Sequence, residues 1–168
     1  MATNVTDWAL NATARFVEQE RVRSENWEEA LQRHQRLVSQ APVLWESIRE
    51  ALQTQIRCFN EGVGKQILSA ATDGDHKLVL SANMDTGART MTAEFDSRRQ
   101  CITCSARTVR KPADFEARLS ISLNSEDNAC IALPTEAASG PEPVAGHMLN
   151  GLMGWHQPTA VESMQVES

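Results

Sequence analysis

Phe115-Glu-Ala-Arg-Leu-Ser-Ile-Ser-Leu123 is the stretch whose reading decides the fold. Phe115, Ala117, Leu119, Ile121 and Leu123 alternate with Glu116, Arg118, Ser120 and Ser122. Period-two alternation sends the apolar set to one face of a sheet and the polar set to the other. The same reading extends outward over Gln66–Leu133, which predicts about six short strands joined by tight turns. Thr72-Asp-Gly-Asp75 is a hairpin signal, Asn83-Met-Asp-Thr-Gly87 a longer loop, Asp96-Ser-Arg-Arg99 a turn, and Asn124–Asn128 the last hairpin. Arg107–Ala113 reads as a basic loop broken by Pro112. Links this short make neighbouring strands antiparallel. The expected inward set is Ile67, Leu78, Leu80, Met91, Ala93, Phe95, Ile102, Cys104, the Phe115 series, Ile131 and Leu133.

A sheet with one apolar face needs a cover, and helical patterns flank it on both sides. Upstream, Trp45, Ile48, Leu52, Ile56 and Phe59 form one stripe, with Glu46, Arg49, Gln53 and Arg57 turned outward and Gly62 and Gly64 as the stop. Pro42 fits the first turn of that helix, where its missing donor costs nothing. Downstream, Pro134–Pro143 reads as a linker. A short helix follows on Val144, Ala145, Met148, Leu149, Leu152 and Met153, weakened by Gly146 and Gly151 and stopped by Gly154.

Ahead of Pro42, Thr6 and Asp7 are helix-start residues, and Val5, Trp8, Ala9, Ala12 and Phe16 fall at helical spacing. Asn26 with Glu29 resembles a capping box, so a second helix, or a continuation, begins there with Trp27, Ala30, Leu31, His34 and Val38 as its stripe. The expected class is therefore α+β: N-terminal helices, an antiparallel meander of about six strands covered on one face by helices, and a short C-terminal helix. The divisions are a helical arm over 1–41, an α+β domain over 42–155, and an acidic tail over 156–168.

Composition limits function. The 168 residues are 41% hydrophobic, with a net charge of -6. That suits a globular domain with an appendage. Pro42–Leu133 carries twelve acids against eleven bases, and Met1–Ala41 six against five, so the excess acidity lies after Leu133. A near-neutral body lacks the concentrated positive face of a nucleic-acid binder. Arg98/Arg99 and Arg107/Arg110/Lys111 fall at opposite ends of one strand, roughly 20 Å apart. No apolar run reaches the roughly 18–20 residues of a membrane span, and no signal peptide opens the sequence, so the expected setting is cytoplasmic without membrane insertion.

Cys101-Ile-Thr-Cys104 has the spacing of a metal knuckle but lies in a strand pattern. Residues three apart on a strand point to opposite faces, so Cys104 is expected inside and Cys101 outside, with no metal or other cofactor. Asp73-Gly-Asp75-His76 reads as turn chemistry. Thr90, Thr92, Glu94, Thr103, Ser105, Glu116, Arg118, Ser120 and Ser122 form the polar sheet face expected to meet solvent.

Two functional readings follow. A single layer of helices suffices to cover one sheet face, so the arm carries surplus apolar residues. Trp8, Phe16, Trp27, Leu31 and Val38 are the candidate partner-binding residues of a non-catalytic accessory, chaperone-like or assembly protein that docks a protein partner or a second subunit. In the alternative, Asp85-Thr86-Gly87-Ala88 resembles the Asp-Thr-Gly-Ala loop of retroviral-type aspartic proteases. That resemblance implies a homodimeric hydrolase in which two copies of Asp85 share a proton, with Thr86 and Gly87 shaping the loop.

Overall fold

The computed structural model describes residues 5–108 and 111–155, without the side chains of 5, 6 and 111–114. The elements run α1 (Val5–Val63), β1 (Leu68–Thr72), β2 (Lys77–Met84), β3 (Gly87–Asp96), β4 (Cys101–Thr108), β5 (Lys111–Leu123), β6 (Ala129–Leu133), β7 (Glu136–Ser139) and α2 (Pro141–Met153). The chain is α+β, with a seven-stranded sheet in the order β1-β2-β3-β4-β5-β6-β7 and every neighbouring pair antiparallel. It divides into two compact units, Met1–Arg36 and Leu37–Ser168.

Four expectations change. The basic loop expected over Arg107–Ala113 is mostly strand, with β4 running to Thr108, β5 starting at Lys111 and Pro112 inside β5. The separate N-terminal helices are one helix, with Pro42 inside it. No glycine occurs before Gly62, and residues 27–36 are mostly good helix formers, so Asn26 and Glu29 sit within the helix rather than at a start. Pro42 deprives the Val38 carbonyl of its usual donor. Both residues are on the exposed side, where water can replace it. The Pro134–Pro143 linker contains β7, giving a seventh strand: Leu133 pairs with Glu136 and Ile131 with Ser139 across a turn at Pro134-Thr135. The loop expected over Asn83–Gly87 tightens to a two-residue link, Asp85-Thr86, between Met84 and Gly87. Gly87 there takes φ +135°, a conformation that favours glycine.

In the second unit, the inward faces of β1 to β6 carry the core, and β7 adds only the buried polar Ser139. Leu78, Leu80, Met91, Ala93, Phe95, Ile102, Cys104, Leu119, Ile121, Ile131 and Leu133 are buried as the alternation requires. At the start of β1 the buried residue is Leu68, and Ile67 is only half-buried. Ala41, Leu44, Trp45, Ile48, Leu52 and Ile56 of α1 and Val144, Ala145, Met148, Leu152 and Met153 of α2 close the same cluster. Burying an aliphatic or aromatic side chain of this kind contributes about 1.5–3 kcal/mol.

Polar side chains of α1 fix the helix to the sheet through backbone groups. Gln40 donates from Nε2 to the Asp127 carbonyl (2.8 Å) and accepts at Oε1 from the Ala129 N–H (2.7 Å). Trp45 Nε1 donates to the Asp75 carbonyl at 3.0 Å while its ring lies 6.1 Å from that of Phe95. Arg49, expected outside, is half-buried and donates to Thr72 Oγ1 at 3.2 Å. Gln55 Nε2 reaches the Glu142 carbonyl on α2 at 3.1 Å.

Candidate docking surface

In the first unit, every side chain from Asp7 to Arg36 is exposed except Ala12, which is half-buried. Large apolar groups are among them: Trp8 is 73% exposed, Phe16 62%, Trp27 72% and Leu31 45%. Val38, 43% exposed, belongs to the second unit. Leu10, Val17 and Val22 are exposed apolar residues that the stripe reading did not single out.

Helix geometry sorts the first unit's residues by face. At about 100° per residue, Phe16, Trp27, Ala12, Ala30, Leu31 and His34 fall within roughly 60° of Phe16, and Trp8 sits on the shoulder at about 80°. The opposite face carries ions. Arg21 bridges Glu18 at 2.5 Å and Glu25 at 2.6 Å. The pairing lowers the Glu18 pKa, chiefly through the hydrogen bond from Arg21, and raises that of Arg21 through the same contact. Solvent screening leaves such exposed i,i+3 and i,i+4 pairs only a weak preference for the helix. The ion-paired Glu20 and Arg23 fall on the Phe16 face as well, and the exposed Leu10 and Val22 lie about 120° from it. Charges and large apolar groups are thus only partly segregated around the arm, and the face bearing Phe16 and Trp27 is open to solvent.

The other candidates resolve as follows. Asp85 and Thr86 are exposed at a hairpin tip. Cys101 is buried, contrary to the outward expectation. Cys104 nevertheless belongs to the core cluster and Cys101 does not, in keeping with opposite faces of β4. Burial pushes the Cys104 thiol up to about 12. Among the described residues no group of three or more His, Cys, Asp and Glu side chains is placed to hold a metal ion. No described helix is long and apolar enough to cross a membrane.

The polar sheet face holds a shallow cleft of about 370 Å³ between Lys77, Thr90, Glu94, Thr103, Ser105 and Arg107. A larger open groove of about 710 Å³ lies between the last turns of α1 and β1, lined by Gln53, Ile56, Arg57, Asn60, Leu68 and Ala70 among others. Sequence reasoning did not single out Asn60, whose side chain is buried against β1. Its only signal was a polar residue next to the apolar stripe of α1.

Compared with known proteins, the chain matches no family model, no curated protein and no solved structure.

Proposed function

We propose that the protein is a non-catalytic docking or assembly protein whose N-terminal helical arm binds a protein partner or a second subunit. The observation that carries this reading is the solvent exposure of Trp8, Phe16, Trp27 and Leu31 along one helix. Fully burying four such side chains contributes roughly 1.5–3 kcal/mol each. That is enough to offset a substantial part of the association cost of about 4–15 kcal/mol. Large aromatic anchors set into a complementary groove are also the residues that dominate binding energy at interfaces. The near-neutral charge of the folded body disfavours a mainly electrostatic interface.

The test is a pull-down from the native host comparing the full chain with one lacking Met1–Arg36. This cut follows the boundary between the compact units and spares Gln40, which holds the β5–β6 hairpin. Loss of a specific partner from a truncated chain that remains folded supports docking by the arm. An unchanged set of partners refutes it.

A further inference from the structure

We infer that the surface docked by the arm is the same arm of a second copy, packed antiparallel about a two-fold axis between Arg21 and Val22. This deepens the docking reading and rests on it. The face of α1 carrying Phe16 and Trp27 reads, in order, Ala9, Ala12, Phe16, Glu20, Arg23, Trp27, Leu31 and His34. Its spacing is three, four, four, three, four, four, three, the same in both directions. Helical spacing always allows such a centre, so the choice of a second copy rests on which side chains the two-fold operation sets opposite each other.

The residues brought face to face are complementary. Phe16 meets Trp27 on either side of the axis, and Ala12 meets Leu31, a small side chain against a large one. At the centre each Glu20 faces Arg23 of the second copy. At about 100° per residue Glu20 and Arg23 fall within roughly 40° of Phe16, so both charges stand on the stripe; within one copy they lie 3.4 Å apart, both exposed. A parallel pairing in register would set Glu20 against Glu20 and Arg23 against Arg23, which is repulsive. The central charges therefore select the antiparallel arrangement, as polar residues in helical seams commonly do. Four aromatic rings at roughly 150–250 Å² each, with the flanking Leu31 and Ala12, approach the ~1,200 Å² lower bound of a specific interface.

Sedimentation velocity on the full-length protein, R23E and E20R tests this arrangement. Circular dichroism confirms that each variant keeps its helix content. The unaltered chain is expected at twice its 18.6 kDa mass. Each single variant places like charges opposite each other twice per dimer and is expected to raise the dissociation constant at least about tenfold. An equimolar mixture of R23E and E20R sets two acids against two bases and is expected to restore the dimer. A dimer indifferent to both substitutions, or a mixture that stays monomeric, overturns the register. An unaltered chain that stays monomeric up to about 100 µM overturns the second copy as occupant. The pull-down with the chain lacking Met1–Arg36 still judges the docking reading separately in that case.

Discussion

Asn60 serves as a substitute strand partner for Leu68. Its Oδ1 accepts from the Leu68 N–H at 2.9 Å, and its Nδ2 donates to the Leu68 carbonyl at 2.8 Å. The same oxygen accepts from the Ile67 N–H at 3.0 Å. β1 is an edge strand, so one side chain of the covering helix closes the beginning of an edge that would otherwise present unpaired peptide groups. Asn60→Ala leaves those groups without partners and is expected to cost about 1–3 kcal/mol. Urea unfolding measures the loss, and faster amide exchange at Ile67 and Leu68 locates it. Unchanged exchange at both amides would refute the role.

Gly151 lets α2 approach the sheet closely. A Cβ added there would lie 2.6 Å from Phe115 Cε1 and 2.7 Å from Cζ. Gly151→Ala should destabilise by about 1–3 kcal/mol through overpacking. Phe115→Leu in the same chain should recover part of that loss, because the two changes act on one contact. Thermal unfolding of both single variants and the double variant gives the coupling. Additive effects would contradict it.

The four cysteines divide by burial. Cys58 is exposed, whereas Cys101, Cys104 and Cys130 are buried. A thiol reagent at pH 8 should modify Cys58 rapidly and the other three only as the protein opens. Burial holding the Cys104 thiol at about 12 adds a chemical barrier to the steric one, because little thiolate is present at that pH. Mass spectrometry of the singly modified species identifies the site. Early modification at Cys101 would show that its enclosure is looser than the structure has it.

Asp96 organises the β3–β4 turn, accepting at Oδ1 from the backbone N–H groups of Arg98 (3.0 Å) and Arg99 (3.1 Å). Its pKa is lowered, first by the hydrogen bond from the Arg99 backbone and further by that from Arg98 and by the nearby Arg99 and Arg118 charges. The folded value lies below the unfolded one. This contribution is therefore present in full above the ordinary aspartate pKa and lost as pH falls through the depressed folded value. Asp96→Asn removes that titration, so the fall of melting temperature between pH 5 and pH 2 should be shallower than in the unaltered protein. An identical acid limb would remove Asp96 as a contributor.

The meander was legible because most of its inward and outward residues alternate from Leu78 to Leu133, with Cys101 and Cys130 breaking the pattern by being buried beside Ile102 and Ile131. The cover helix was legible because Trp45, Ile48, Leu52 and Ile56 repeat at helical spacing. The continuity of α1 was not. Pro42 and the Asn26/Glu29 pair are local stop and start signals, and the favourable helix residues around them outweigh both. β7 escaped because a four-residue edge strand of Glu-Ala-Ala-Ser between prolines carries almost no strand propensity. Its identity as a strand comes from pairing with β6, a contact that local pattern cannot register. The arm's aromatic residues could be read from spacing. The roles of Gln40 and Asn60 could not, because their partners are backbone groups elsewhere in the chain.

Trp45 and Gln40 grip the loops through main-chain oxygens, those of Asp75 and Asp127. A carbonyl is common to every amino acid, so this grip responds to where the peptide lies and is indifferent to which residue supplies it. At Asp75, whose carbonyl takes hydrogen bonds from both Trp45 and Arg49, many replacements that preserve the bend should leave the clasp intact. Inserting a single residue there would carry the oxygen out of reach. That corner should therefore tolerate a change of residue better than a change of length.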